Sequence, residues 1–153
     1  MCSPKSEQCG TLIAVCVSEC KGTAKRDVGQ CELIENHGLK GDAHAGNWHR
    51  QVSLLSHDKV EAFRGRGVHV DDGAFGENLL VSGIDLAKLP VGTRITCEGA
   101  LLEVTQIGKQ CHAHCEIFHQ VGDCIMPREG IFARVLRGGI VKKGDVLHVE
   151  LSL

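Results

Sequence analysis

Apolar residues along the chain fall in short runs, and glycine separates most of them. The runs are Thr11–Val17, Val52–Ser56, Asn78–Val81, Arg94–Cys97, Leu101–Ile107, Ile131–Leu136 and Val146–Leu151. In the last of these, Leu147, Val149 and Leu151 alternate with Val146, His148 and Glu150. Successive side chains of a strand point to opposite faces, so this alternation predicts a half-buried strand. Glu98-Gly99 lies between two β-rich runs and predicts a hairpin. Gly138-Gly139, then Lys143-Gly144-Asp145, predict two further reversals. Helical patterning is confined to two places. His57–Arg64 carries Val60 and Phe63 as a weak apolar stripe behind Ser56, a residue type that caps helix N-termini. Cys111–Val121 is the second. Short strands divided by turns predict a mainly β domain, a sandwich or barrel with one or two short helices.

Composition narrows this picture. A chain of 153 residues suits one domain. We expect residues 10–153 to form it, behind a flexible tail at 1–9. With no Tyr, one Trp and four Phe, the core has to be built mainly from Val, Ile, Leu and Ala. The net charge of −2 offers no basic surface for nucleic acid. No apolar stretch approaches the roughly 18 residues of a membrane span, so no membrane partner is expected. Nine Cys is the unusual number. An odd count, in a chain large enough to stabilise itself, argues against a secreted disulfide scaffold. Thr11–Val17 is marginal for the apolar part of a secretory leader and no small-x-small cleavage pattern follows it. The expectation is a cytoplasmic protein with reduced thiols and no supporting disulfide.

The densest chemistry is Lys109-Gln110-Cys111-His112-Ala113-His114-Cys115, followed by His119 and Cys124. The thiolate is the nucleophile, and a neighbouring Lys, a protonated His or a helix N-terminus lowers its pKa from about 8.5. Cys111 has these influences at hand, with His112 and His114 as proton acceptors or donors. Most free cysteines are instead small buried hydrophobes, and Cys16 and Cys97, inside predicted strands, suit that role. Zinc is the rival reading of the cluster. On a helix, Cys111, Cys115 and His119 share a face, and His114 or Cys124 would complete a tetrahedron. The C-x3-C spacing lacks a second compact ligand pair, which weakens that reading.

Two further clusters are candidates for binding. Gly38–Gly46 sets three glycines around Lys40, Asp42 and His44 and ends in Trp48-His49-Arg50. It matches neither a Walker loop nor a dinucleotide fingerprint, and such a loop is often only an ordered turn. Arg128, Arg134 and Arg137 offer guanidinium groups suited to phosphate, or equally a solvated outer face. A regular strand puts Arg134 and Arg137 on opposite faces, and Arg134 is the preferred candidate.

Taken together, these residues resemble the MOSC family, named for the C-terminal domain of eukaryotic molybdenum-cofactor sulfurase. The resemblance runs from about Gly10 to Leu151. It is carried by GLKGDAHAG at 38–46, GAFGENLLVSGIDL at 73–86, GKQCHAHC at 108–115 and GIFARVLRGGIVKKGD at 130–145. It implies a β-barrel in which Cys111 occupies the family's cysteine position and accepts sulfur as a persulfide for a molybdenum or tungsten centre. It implies molybdenum cofactor (molybdopterin) as ligand or substrate, with Lys40, Asp42, His44, Lys109 and Arg134 near its anionic part. The expected partners are a cysteine desulfurase-type sulfur donor and, as acceptor, a molybdenum or tungsten enzyme or a cofactor biosynthesis protein. No pyridoxal phosphate is expected on this chain, because the desulfurase domain of the eukaryotic sulfurase is absent from it. Turnover as a sulfurtransferase competes with a non-catalytic module that binds the cofactor, an oxyanion or zinc. A small molybdenum oxidoreductase is disfavoured, since the extra N-terminal β domain of such relatives is missing.

Overall fold

Alternation along the strands sorts the side chains into two hydrophobic layers, and the architecture follows from that sorting. The structure is a computed structural model and describes residues 7–21, 23–67, 69–108 and 125–150. Its first half holds strands β1 (Glu7–Val17), β2 (Arg26–Asp27), β3 (Gln30–Ile34), β4 (Gly38–Leu39) and β5 (Val52–Ser56), then helix α1 (His57–Arg64). Strands β6 (Leu79–Ser82), β7 (Arg94–Cys97), β8 (Ala100–Ile107), β9 (Ile131–Arg137), β10 (Gly139–Lys142) and β11 (Val146–Glu150) follow. One helical turn, Met126–Glu129, precedes β9. All seven predicted strands are present. β1 starts at Glu7, inside the stretch expected to be tail, because Glu7–Thr11 pairs with Val146–Glu150 of β11.

That pairing closes a barrel. The strand order is β11-β7-β8-β9-β5-β6-β1, with β1 returning to β11 and β2 attached to the outer part of β1. Neighbours are antiparallel except β5 and β6, which run parallel. All seven barrel strands contribute to the inner core, among them Leu12, Leu54, Leu79, Ile95, Leu102, Ala133 and Leu147. A second layer lies outside the wall. There Leu55, Leu80 and Cys16 pack with Val60 and Phe63 of α1 and with Phe75. β5 is therefore buried on both faces, which explains why Val52–Ser56 reads as a continuous apolar run. A smaller sheet, β10-β3-β4, packs Leu33, Leu39 and Val141 against the barrel core.

Two local expectations need correction. The predicted helix at His57–Arg64 forms, but Ser56 does not cap it with its side chain. The Ser56 hydroxyl instead donates to Ile84 O at 2.7 Å and accepts from Leu86 N at 3.0 Å, tying the barrel wall to the turn after β6. The Glu98-Gly99 hairpin forms between Cys97 and Ala100, yet Glu98 rather than the glycine takes positive φ, at 53°. No helix among the described residues is long and apolar enough to cross a membrane.

Glu77 is a costly group to bury inside this fold. It is fully buried, and desolvation pushes its pKa from the ordinary 4.5 up to about 7, with Asp72 adding to the rise. The N–H groups of Gly73 and Phe75, donating at 2.8 and 3.1 Å, oppose it. The folded carboxyl thus keeps its proton where the unfolded chain has lost it. Between about pH 4.5 and 7, rising pH removes stability. The melting temperature of the unsubstituted protein should fall across that window relative to Glu77→Gln, by the equivalent of about 1–3 kcal/mol. Parallel melting curves for the two proteins from pH 4.5 to 7.5 would contradict this.

Candidate functional site

The Gly38–Gly46 segment leaves β4 and forms a loop at one end of the barrel. Gly38 takes φ +128°, and a Cβ there would stand 2.5 Å from Gln51 O. Its glycine therefore serves close packing between β4 and the start of β5. Lys25 reaches the loop from the other side. Its Nζ donates to Asp42 Oδ1 at 2.8 Å, and both side chains are wholly buried. The ammonium also donates to Ser18 Oγ at 3.1 Å and approaches His44 Nδ1 at 3.0 Å. An ammonium has three N–H donors and no acceptor. These three partners use all of them, so His44 Nδ1 accepts and the ring hydrogen sits on Nε2. Asp42 in turn accepts from the Ser18 and His44 N–H groups at 3.1 and 3.2 Å.

Lys25 is itself clamped from behind. Its N–H donates to Gly73 O at 2.8 Å. Gly73 has φ +91°, and a Cβ there would lie 2.3 Å from Lys25 O. The Gly73 N–H is the one held by Glu77. The stretches at 38–46 and 73–86 thus meet on one lysine, which the sequence reading missed. A lone Lys in GTAKRDVGQ reads as solvated, and nothing in its local pattern signals burial.

The loop continues through Trp48, whose Nε1 donates to His44 O at 2.8 Å. His49 Nε2 lies 2.9 Å from Gln106 Oε1, and Gln106 Nε2 donates to Gly108 O at 2.7 Å. Because a carbonyl only accepts, the Gln106 amide orientation is settled, and His49 Nε2 is the donor. The Thr105 hydroxyl also bonds to His49 O. The 44–50 loop is therefore stitched to the end of β8. Gly108 N donates to Gly130 O at 2.7 Å, which sets the entry of β9 beside it.

Arg50 stacks at this end, its Cζ 4.6 Å from the Trp48 ring centroid and 5.5 Å from that of Phe132. Arg134 lines a cleft of about 390 Å³ together with Trp48, His49 and Glu103. Its Nε and Nη2 both donate to Glu103 Oε1, at 3.1 and 2.8 Å. Arg137 is exposed as well and donates to Gly99 O at 2.7 Å. Lys40 is exposed. The structure thus brings Asp42, His44 and Trp48 together through direct bonds and sets Arg134 in the adjoining cleft. Lys109, Cys111, His112, His114, Cys115 and His119 lie outside the described residues, as does the helix expected at Cys111–Val121. Among the described residues no group of three His, Cys, Asp or Glu side chains is placed to hold a metal ion.

The described thiols divide sharply. Cys16 and Cys97 are wholly buried, as expected of strand cysteines. Desolvation raises the pKa of both, that of Cys97 to about 12. Neither is a thiolate near neutral pH. Cys20 is exposed and free, and Cys31 is half-buried and free. Cys9 is disulfide-bonded, which corrects the expectation that every thiol is reduced.

The sequence profile of the MOSC domain matches residues 41–148. The chain belongs to the MOSC domain family. Members of this family are implicated in binding molybdenum cofactor or handling sulfur. This MOSC chain is similar in fold to the YuaD protein from Bacillus subtilis, with a TM-score of 0.79 at 22% identity over 96% of this chain and 98% of that one. It is similar also to YiiM from Geobacillus stearothermophilus, with a TM-score of 0.71 at 19% identity over 93% of this chain and 75% of that one. YiiM from Escherichia coli gives a TM-score of 0.66 at 17% identity, over 98% of this chain and 72% of that one. No curated protein matches the chain.

Removing one member of the Lys25–Asp42 pair leaves a buried charge unpaired. Lys25→Met and Asp42→Asn should each destabilise the MOSC domain by about 3–5 kcal/mol in urea unfolding. Lys25→Met/Asp42→Leu should recover most of that loss. Single substitutions costing under about 1 kcal/mol would mean that water reaches the pair.

Proposed function

We propose that this MOSC domain relays sulfur to a molybdenum or tungsten cofactor, with Cys111 as the carrier. Family membership supports the cofactor class, and one structural observation supports the place. The path His44–Trp48–His49–Gln106, hydrogen-bonded except where Trp48 and His49 are chain neighbours, ends on Gly108. Cys111 is the third residue beyond it, so covalent geometry alone keeps their Cα atoms within about 11 Å. On this reading the loop and the thiol work at one end of the barrel.

In the loading step, the Cys111 thiolate attacks the sulfane sulfur of a donor persulfide. One S–S bond forms, the donor's S–S bond breaks, and the donor leaves as a thiolate. Exchange of this kind is fastest when the attacking thiol has a pKa near the ambient pH. Lys109 and His112 favour that condition, and His112 or His114 manages the proton. The donor is a cysteine desulfurase-type protein. Release of the carried sulfur as sulfide requires a second thiol, which ends in a disulfide with Cys111. The cofactor enters as substrate, and His44 offers it a fixed ring beside the Asp42 turn. A relay needs a reduced Cys111. The second reading is a non-catalytic module that only holds cofactor, oxyanion or zinc through Cys111, Cys115 and His119.

Incubated with a cysteine desulfurase and cysteine, the protein should gain the mass of one sulfur atom on the peptide that contains Cys111. Cys111→Ser should abolish the gain, and Cys115→Ser should leave most of it. If Cys111→Ser releases zinc or unfolds the domain, the binding-module reading replaces the relay. Sulfur on Cys115 or Cys124 instead would remove Cys111 as the acceptor.

A further inference from the structure

Arg50 carries the inference. Its Nε is the single buried side-chain nitrogen or oxygen, among the described residues, that has no hydrogen-bond partner. A buried donor left unpaired costs about 1–3 kcal/mol, and more when it is charged. Guanidinium groups are cationic donors with no acceptor. By contrast, Arg64 is paired with Glu61 and Asp72, and Arg134 with Glu103. What Arg50 has instead is aromatic, the Trp48 ring at 4.6 Å and the Phe132 ring at 5.5 Å. Ring faces hold a guanidinium in place by cation–π attraction while accepting none of its in-plane hydrogen bonds. Trp48 is itself fixed through His44 O, and Phe132 is fixed in β9. The arrangement orients a cation rigidly and leaves its donor edge without a counter-charge.

We infer that Arg50 is the anion seat of this domain and takes a tetrahedral oxyanion, such as a phosphate monoester, on its unpaired N–H edge. The inference rests on the cofactor-handling reading above, and it moves the anchor for the anionic part of the substrate from Arg134 to Arg50. Arg134 lines the neighbouring cleft, but Glu103 already occupies its Nε and Nη2 donors. Phosphate matches a guanidinium fork by accepting two parallel bonds. Binding there would convert the unpaired Nε–H into a charge-assisted bond.

Trp48 is the sole tryptophan, so intrinsic emission reports directly on the ring beneath Arg50. Titration with inorganic phosphate and, separately, with molybdate at constant ionic strength should give a saturable change in that emission. Tighter phosphate binding identifies a phosphate ester as the natural ligand, and tighter molybdate binding identifies a free metal oxyanion. Arg50→Met should weaken the preferred anion by about tenfold or more. Arg50→Lys should lose roughly threefold or more, because a point charge lacks the fork. Arg134→Met should keep its affinity within roughly twofold, since Glu103 already holds the Arg134 edge that presents Nε and Nη2. A second readout covers the case in which Arg50→Met fails to fold. In the unsubstituted protein the Arg50 Nε–H resonance should shift saturably with the anion, in step with Trp48 emission. Emission that saturates while this resonance stays still, undiminished binding in Arg50→Met, loss of binding in Arg134→Met, or no saturable response to either anion would each overturn the inference. Sulfur loading of Cys111 is measured independently. An Arg50-dependent anion site in a protein that takes up no sulfur would sink the relay and leave the seat standing.

Discussion

The buried pair of Lys25 and Asp42 organises this end of the molecule. Two opposite charges taken fully out of water are costly, and their attraction offsets that only when every remaining donor and acceptor is used. Here the accounting is complete on the lysine side: Asp42, Ser18 and His44 take its three hydrogens. The pair does little for net stability compared with an apolar pair of the same size. What it supplies is definition. The observed placement of the 40–46 loop satisfies both charges, and it fixes the His44 tautomer. It sets the carbonyl that receives Trp48 and, through Trp48, the ring against which Arg50 lies.

The same lysine joins two stretches that are far apart in the chain. Gly73 pins the Lys25 backbone, and Glu77 pins Gly73. A site loop supported in this way has its rigidity supplied from the outer core, where Phe75, Leu80 and Cys16 pack beside Phe63 of α1. GAFGEN thus reaches the loop through the Gly73 and Glu77 hydrogen bonds. Its work is support. Glu77 in particular trades an unfavourable burial for two backbone hydrogen bonds that hold a tight turn.

Much of the fold was legible because the barrel strands alternate or run apolar, and period-two patterning is a direct consequence of the pleat. β3, β4 and β10 were not legible. Of the five residues of β3 only Leu33 is buried, so its apolar signal is a single side chain. β4 is two residues long, and β10 begins with a glycine. For the site, the chemistry of the 38–50 loop was readable as a cluster, but the partners of that chemistry were not. Lys25 and Gln106 act through tertiary placement, and no local pattern marks a buried lysine or a bridging glutamine. Arg134 reads as an anion ligand because guanidinium groups suit phosphate. The structure adds Glu103, which lies across the β8–β9 ladder and is invisible in the sequence around residue 134. Cys16 and Cys97 illustrate the opposite case, where strand context alone predicts burial and inertness.

The seam between β1 and β11 has a consequence for how the domain is made. It pairs Cys9 with His148, residues separated by 139 positions. Such a closure is among the most non-local contacts a chain of this size can form, and loop-closure entropy makes it slow. During synthesis, β1 and its neighbour β6 emerge well before β11 exists. Until then one edge of β1 presents unpaired backbone groups, the kind of edge that recruits another chain. The aggregation hazard of this barrel thus peaks in the nascent polypeptide rather than in the finished protein. It ends when residues 146–150 reach their place.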